Sequence, residues 1–276
     1  VSNIVSIFGV SHHPGLARLR NPQGNDPSVM GATREFQALR DALAASRPDV
    51  VVCIGNDHLN QFFLDNMPQF LIGKSPTAKG TWPWEREWGA PDYEAAVDVD
   101  LARHIIRHGP ERGVDFAFSD EFLIDHAFTM PLAFLRPQGD LPIVPVFCNV
   151  MAPPIPPARR FYDVGGVLRS LIEDFPGDQR IAVVCSGHLS VEVGGPRPLA
   201  PDEEFDRWAS ALVGHGDVEQ ALEKLSEERL KQAGNYAAGF LTFVLLAGMA
   251  GGVPCMSWQL LDTPMARLPF FQWSFE

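Results

Sequence analysis

The sequence predicts an α/β protein with a central, largely buried mixed sheet flanked by helices. Three observations carry that expectation. Short apolar runs rich in β-branched residues, at 4–10, 50–54 and 181–185, have the composition of strands buried on both faces. Between them, apolar residues recur at helical spacing, the alternation that builds helices onto a sheet. Each run also exits into a polar turn carrying histidine: Ser11-His12-His13-Pro14, Asn56-Asp57-His58 and Ser186-Gly187-His188. In an open α/β sheet the ligand crevice lies outside the carboxyl ends of the strands, so the three exits point to one shared edge.

The elements follow in order. The first strand covers 3–9 and breaks at Pro14, which pushes His13 out of the helical region. The turn-forming stretch 21–27 reads as loop. A helix over 32–46 turns Phe36, Leu39 and Leu43 inward and closes at Arg47-Pro48, before the central strand from Val50. Residues 60–90 interleave Phe62, Phe63, Phe70, Trp82, Trp84 and Trp88 with Pro and Gly, a pattern that suits a pocket lining or a satellite cluster. A helix is expected over 93–108, burying Ala96, Leu101 and Ile105. Its i,i+4 pair His104 and His108 has Arg103 and Arg107 beside it and no adjacent carboxylate, so it reads as a solvated face rather than a metal site.

The second half continues the alternation. A buried strand at 141–147, a helix over 159–173 and the strand from Ile181 follow one another. Asp202-Glu203-Glu204 opens a helix that runs to Val213, with acidic residues where its dipole favours them. Further helices are expected over 217–232 and 236–250, and a strand over 253–261. No repeat or composition break divides the chain, so a single domain is expected over 1–276.

Composition narrows the function classes. Of 276 residues, 46% are hydrophobic and 20% charged, which is globular. The net charge of -12 argues against a nucleic-acid partner, whose phosphates call for Lys and Arg. Cys53, Cys148, Cys185 and Cys255 form no C-x-x-C and sit in or beside apolar runs, as reduced core thiols do. The apolar stretch 237–253 contains four glycines and falls short of the roughly 20 residues of a membrane span. No basic segment precedes the first strand, and a cytoplasmic protein without membrane attachment is expected.

Neutral imidazoles at the shared edge suit iron, zinc, copper or nickel. The chain has no H-E-x-x-H, G-x-S-x-G or P-loop motif, and Gly194-Gly195-Pro196 does not make a dinucleotide fingerprint.

Ser11-His12-His13-Pro14, Asn56-Asp57-His58, Asp125-His126 and the block Ser186-Gly187-His188-Leu189-Ser190 together resemble the class III extradiol ring-cleavage dioxygenases. The likeness is greatest to the catalytic β-subunit type of protocatechuate 4,5-dioxygenase. It takes in Gly195-Pro196-Arg197 and the helix start Glu204-Phe205-Asp206-Arg207-Trp208. The resemblance implies that His12 and His58 bind Fe(II), and that His126 is an acid/base group beside a bound catecholate. O2 and a small hydroxylated aromatic acid would be the substrates. An assembly is implied too, either a homo-oligomer or a hetero-oligomer with a small subunit.

Two departures stand out. The family's acid/base histidine ends a block similar to S-G-G-L-S-H; here Val191 takes that place and His188 appears three residues earlier. The family's glutamate ligand is replaced by Tyr236 or Gly239, and no Asp or Glu occurs from 230 to 261. Tyr236, Glu192 and Asp57 remain open as third ligand, as does having none. His188 is expected to face the pocket, handle protons in place of the missing histidine, and change the shape of the accepted substrate. Two other functions stay open: a non-catalytic partner subunit of a related dioxygenase, and a metal-dependent hydrolase or lyase on the same fold.

Overall fold

The computed structural model describes residues 2–20, 26–197, 201–264 and 266–275; of the expected loop at 21–27, only Asp26 and Pro27 lie among them. Strand β1 (Asn3–Ser11) leads through a 3-10 turn to α1 (Pro27–Ser46) and β2 (Val50–Gly55). β3 (Phe70–Gly73), β4 (Thr77–Gly80), α2 (Pro83–Glu87), β5 (Tyr93–Ala96), α3 (Val99–His108) and β6 (Ala117–Ser119) come next. The chain continues with α4 (His126–Leu135), β7 (Ile143–Cys148), α5 (Ala158–Glu173) and β8 (Arg180–Gly187). It closes with α6 (Glu203–His215), α7 (Glu227–Ala233), α8 (Leu241–Ala250), β9 (Ser257–Asp262) and β10 (Arg267–Ser274).

Eight strands form one mixed sheet in the order β6-β3-β7-β2-β8-β1-β10-β9, and β4 and β5 pair separately as a hairpin. The four central strands β7, β2, β8 and β1 run parallel; β3 and β10 join them antiparallel. Alternate residues of each strand enter opposite cores. Val52, Ile54, Val183 and Cys185 pack against α3, α5, α6 and α8, whereas Val51, Cys53, Ala182 and Val184 pack against α1 and α4. Both faces are therefore covered, which is why these strands read as unbroken apolar runs.

The observed elements correct several expectations. Residues 93–96 are a strand, not the first turn of a helix: Tyr93 and Ala95 are buried while Glu94 and Ala96 are exposed, a period of two. Asp98 then caps α3 by accepting the Leu101 N–H at 2.9 Å. The helix expected over 217–232 is broken into a 3-10 turn (Glu219–Lys224) and α7, with Ser226 capping the latter. The stretch 236–250 likewise splits into a 3-10 turn (Ala237–Phe240) and α8. The last strand begins later than expected, at Ser257, and returns as β10, which pairs with β1. Helix α4 was not expected at all, because Pro131 lies inside it. Among the described residues no single helix is long and apolar enough to cross a membrane, and α7 meets the segment 237–250 at 115°.

Candidate active site

β1, β8 and β2 are neighbours, so their carboxyl ends open on one edge. The register pairs Ser11 with Gly187, which places His12 and His188 side by side at the first position beyond each strand. Their ring centroids are 4.0 Å apart. His58 reaches the same point from three residues past β2, with its ring 5.3 Å from that of His12. His126 arrives from above, as the first residue of α4, and stacks on His58 at 3.9 Å. All four candidate histidines of the sequence therefore meet. Gly55 lets α4 come this close: a Cβ there would lie 3.3 Å from that of Ala127 and 3.2 Å from the Phe128 ring.

The proton on His12 follows from a chain of donors and acceptors. Pro131 has no N–H, so the Ala127 carbonyl lacks its usual partner four residues on. The Ser186 hydroxyl fills that gap, donating to Ala127 O at 2.5 Å. Having spent its only proton, Ser186 Oγ must accept from His12 Nδ1, 2.8 Å away. His12 therefore carries its proton on Nδ1. Its Nε2 is a bare lone pair, buried and without a hydrogen-bond partner. Such an orphan is costly inside a protein unless something binds it.

His58 is held in the same tautomer by a carboxylate. Asp125 Oδ2 accepts both the His58 N–H and its Nδ1–H at 2.9 Å, while Oδ1 caps α4 through the Ala127 N–H at 2.8 Å. This is the carboxylate–histidine arrangement that fixes metal-ligating imidazoles. Burial pulls the His58 imidazolium down, but the Asp125 carboxylate and hydrogen bond outweigh it and raise the pKa. His12 and His188 are driven well below the ordinary range, first by burial and then by neighbouring histidines, so both are neutral.

His126 has a partner that sequence reasoning missed. Glu85, wholly buried, accepts from His126 Nδ1 at 2.5 Å and from its backbone N–H at 3.1 Å. Its other oxygen accepts from the Thr81 hydroxyl at 2.9 Å and the Trp82 N–H at 3.0 Å. Glu85 stands at the third position of α2, after Pro83, and accepts the N–H of the Trp82 cap, the glutamate half of a capping box. A Pro followed two residues later by Glu at a helix start is the signal that could have found this carboxylate. Trp88 sets its ring edge-on to His126 at 5.2 Å, so part of the aromatic segment does line the site. Burial, with His58 behind it, lowers the pKa of His126 to about 3.

The candidate third ligands fare differently. Asp57 is occupied by the backbone N–H groups of Asn60, Gln61 and Phe62, and burial next to Asp125 raises its pKa to about 6. Glu192 pairs with Arg197 at 2.6 Å. Tyr236 is half-buried and its backbone N–H is tied to the Val191 carbonyl at 3.0 Å. Among the described residues, the potential metal groups are His12 with His58 and His188, and His58 with Asp125 and His126. In the second, Asp125 already holds His58 Nδ1 and Glu85 holds His126 Nδ1. The His104 and His108 rings lie 4.7 Å apart, tilted at 48°, on a helix face, and His108 turns to Glu111. A cavity of about 830 Å³ lies apart between α5 and α7 and is lined by none of the site histidines.

Residues 6–265 match the family described as the catalytic LigB subunit of aromatic ring-opening dioxygenase. The chain belongs to that family. A relative from Rhodococcus jostii (strain RHA1), a 2,3-dihydroxyphenylpropionate/2,3-dihydroxicinnamic acid 1,2-dioxygenase, is 29% identical, covering 88% of this chain and 73% of its own. The protein of that name from Comamonas testosteroni is 32% identical over 83% of this chain and 68% of its own. An uncharacterized protein from Escherichia coli K12 shares the fold, with a TM-score of 0.62 at 18% identity, over 97% of this chain and 99% of its own. Family and relatives bear out the expected extradiol-type ring-cleaving dioxygenase, and the shared fold bears out the expected mixed sheet between helices.

Proposed function

We propose that this LigB-family chain holds Fe(II) on His12 and His58 and cleaves a catecholic or related hydroxylated aromatic acid with O2. The observation that carries the reading is the buried, partnerless Nε2 of His12 beside a His58 whose Nδ1 proton is fixed on Asp125. Two imidazoles whose Nδ1 protons are fixed, so that each can present Nε2, suit a first-row divalent metal. Held by His12 and His58, Fe(II) would supply Lewis acidity toward the phenolic oxygens and the means to activate O2.

The chain's own residues do the rest. His126 keeps Nδ1–H on Glu85, so its Nε2 is the atom available to take a phenolic proton. The Glu85 carboxylate steadies the imidazolium that forms, as the buried acid does in a hydrolase triad. Trp88 and the stacked His58 hold the ring and keep water from it. His188 stands against His12, with ring centroids 4.0 Å apart.

The test is oxygen uptake after anaerobic Fe(II) loading, with a panel of catechols led by the 2,3-dihydroxyphenylpropionate of the relatives' name. Ring-opened product with one O2 consumed supports the reading. No turnover on any catechol, in a chain that takes up no metal, overturns it in favour of a non-catalytic partner subunit. Turnover without O2 points to a hydrolase or lyase instead. We further propose a cytoplasmic, oligomeric enzyme of one domain; mass measurement of the purified complex tests the assembly and shows whether a small subunit accompanies it.

A further inference from the structure

We infer that His188 is the third metal ligand, so that the centre consists of three imidazoles and no carboxylate. This rests on the metal reading of His12 and His58. One potential ligand atom from each of His12, His58 and His188 lies within 4.8 Å of the others. The His12 and His188 rings meet at 62°, edge towards face, so they do not stack away each other's lone pairs. His188 Nδ1 is buried and has no hydrogen-bond partner, the same signature as His12 Nε2.

The surroundings aim that nitrogen. A Cβ at Gly239 would stand 3.3 Å from His188 Cδ2 and 3.1 Å from its Cβ. The Cδ2 edge of the ring thus lies against the start of the last helical segment, and the opposite, Nδ1 edge turns away from it. Gly187 permits this approach, since a Cβ there would fall 2.3 Å from Thr242 Oγ1 and 2.7 Å from the Gly239 carbonyl. The absence of a side chain at Gly239 and the imidazole at His188 are therefore two halves of one packing solution. Any residue with a side chain at 239 would contest the space His188 uses.

No carboxylate competes for the position. Asp57 serves the backbone of its own loop, Asp125 serves His58, Glu85 serves His126 and Glu192 serves Arg197. Three imidazole ligands leave the divalent charge unneutralised by any atom that touches it, with the nearest protein carboxylate, Asp125, one residue removed behind His58. Such a centre favours a substrate that binds as the dianion and neutralises it. Proton transfer then falls to His126, the one site imidazole with a fixed carboxylate partner and no place among the three ligands.

The experiment is anaerobic Fe(II) titration of chelator-stripped protein, wild type against His188→Ala and His188→Gly, with affinity measured by chelator competition. X-ray absorption on the loaded wild type counts imidazoles. The expected result is three imidazoles in the wild type, and an affinity loss in both variants beyond the 10–100-fold typical of disturbing a ligand's support. Added imidazole should restore occupancy in His188→Gly, and thermal melts establish that the variants fold. Unchanged affinity in folded variants, or two imidazoles in the wild type, overturns the assignment while leaving the metal reading intact. A wild type that takes up no Fe(II) overturns both. Should the variants fail to fold, the wild-type imidazole count decides alone.

Discussion

Replacing Ser186 by Ala tests the proton logic of the site directly. The hydroxyl donates to Ala127 O at 2.5 Å and accepts from His12 Nδ1 at 2.8 Å, with both partners buried. Ala127 cannot fall back on its helix, because Pro131 stands where the donor should be. Two buried polar groups are orphaned at about 1–3 kcal/mol each, so Ser186→Ala should lose about 2–6 kcal/mol of stability. His12 also loses the acceptor that fixes its tautomer, and metal affinity should fall about 10–100-fold, a change of about 1.4–2.7 kcal/mol. The two effects separate in a second variant. Ser186→Ala with Pro131→Ala supplies Ala127 with a helical N–H and should recover about 1 kcal/mol of stability, but none of the metal affinity. Urea midpoints and chelator competition read the two quantities. Wild-type affinity in Ser186→Ala, or affinity restored by Pro131→Ala, would refute the reasoning.

Other expectations follow from single contacts. Glu85→Gln forces an amide N–H against donors on both oxygens; kcat should fall about 100-fold or more with KM little changed, and the acidic limb of the pH–rate profile, which reports the base, should move to lower pH. A variant with wild-type kcat and profile would remove Glu85 from its positioning role. Gly187→Ala drives a methyl onto Thr242 Oγ1 and should cost about 1–3 kcal/mol, read as a lowered thermal midpoint. An unshifted midpoint would mean that the α8 contact yields freely. Asp202 caps α6 through the Phe205 N–H and pairs with Arg229, both at 2.8 Å; these outweigh burial and hold its pKa below the usual range. A depressed carboxylate contributes stability above its unfolded pKa of about 3.9 and loses it as pH falls through the lower folded value. Asp202→Ala should therefore cost about 1–2 kcal/mol at pH 7, and the gap should narrow as pH falls towards 3. A gap that stays constant with pH would assign the effect to something other than the carboxylate's charge.

Local pattern determined much of this protein. The runs at 50–54 and 181–185 are strands because β-branched residues buried on both faces leave little else for them to be, and the helices at 32–46 and 159–173 repeat their apolar residues with the helical period. The histidine exits were legible too, since parallel neighbours must end on one edge. Short elements were not. Tyr93–Ala96 is too brief for its alternation to outweigh the helix beyond it, and α4 hid behind Pro131.

The chemistry of the site was decided by tertiary structure. Ser186 meets His12 across 174 residues, Asp125 meets His58 across 67, and Glu85 meets His126 across 41. The sequence marks which side chains can bind a metal or move a proton, but which ring nitrogen is free depends on what the other nitrogen touches. That contact is made by residues remote in the chain, and only a packed sheet with a fixed register brings them within hydrogen-bonding distance.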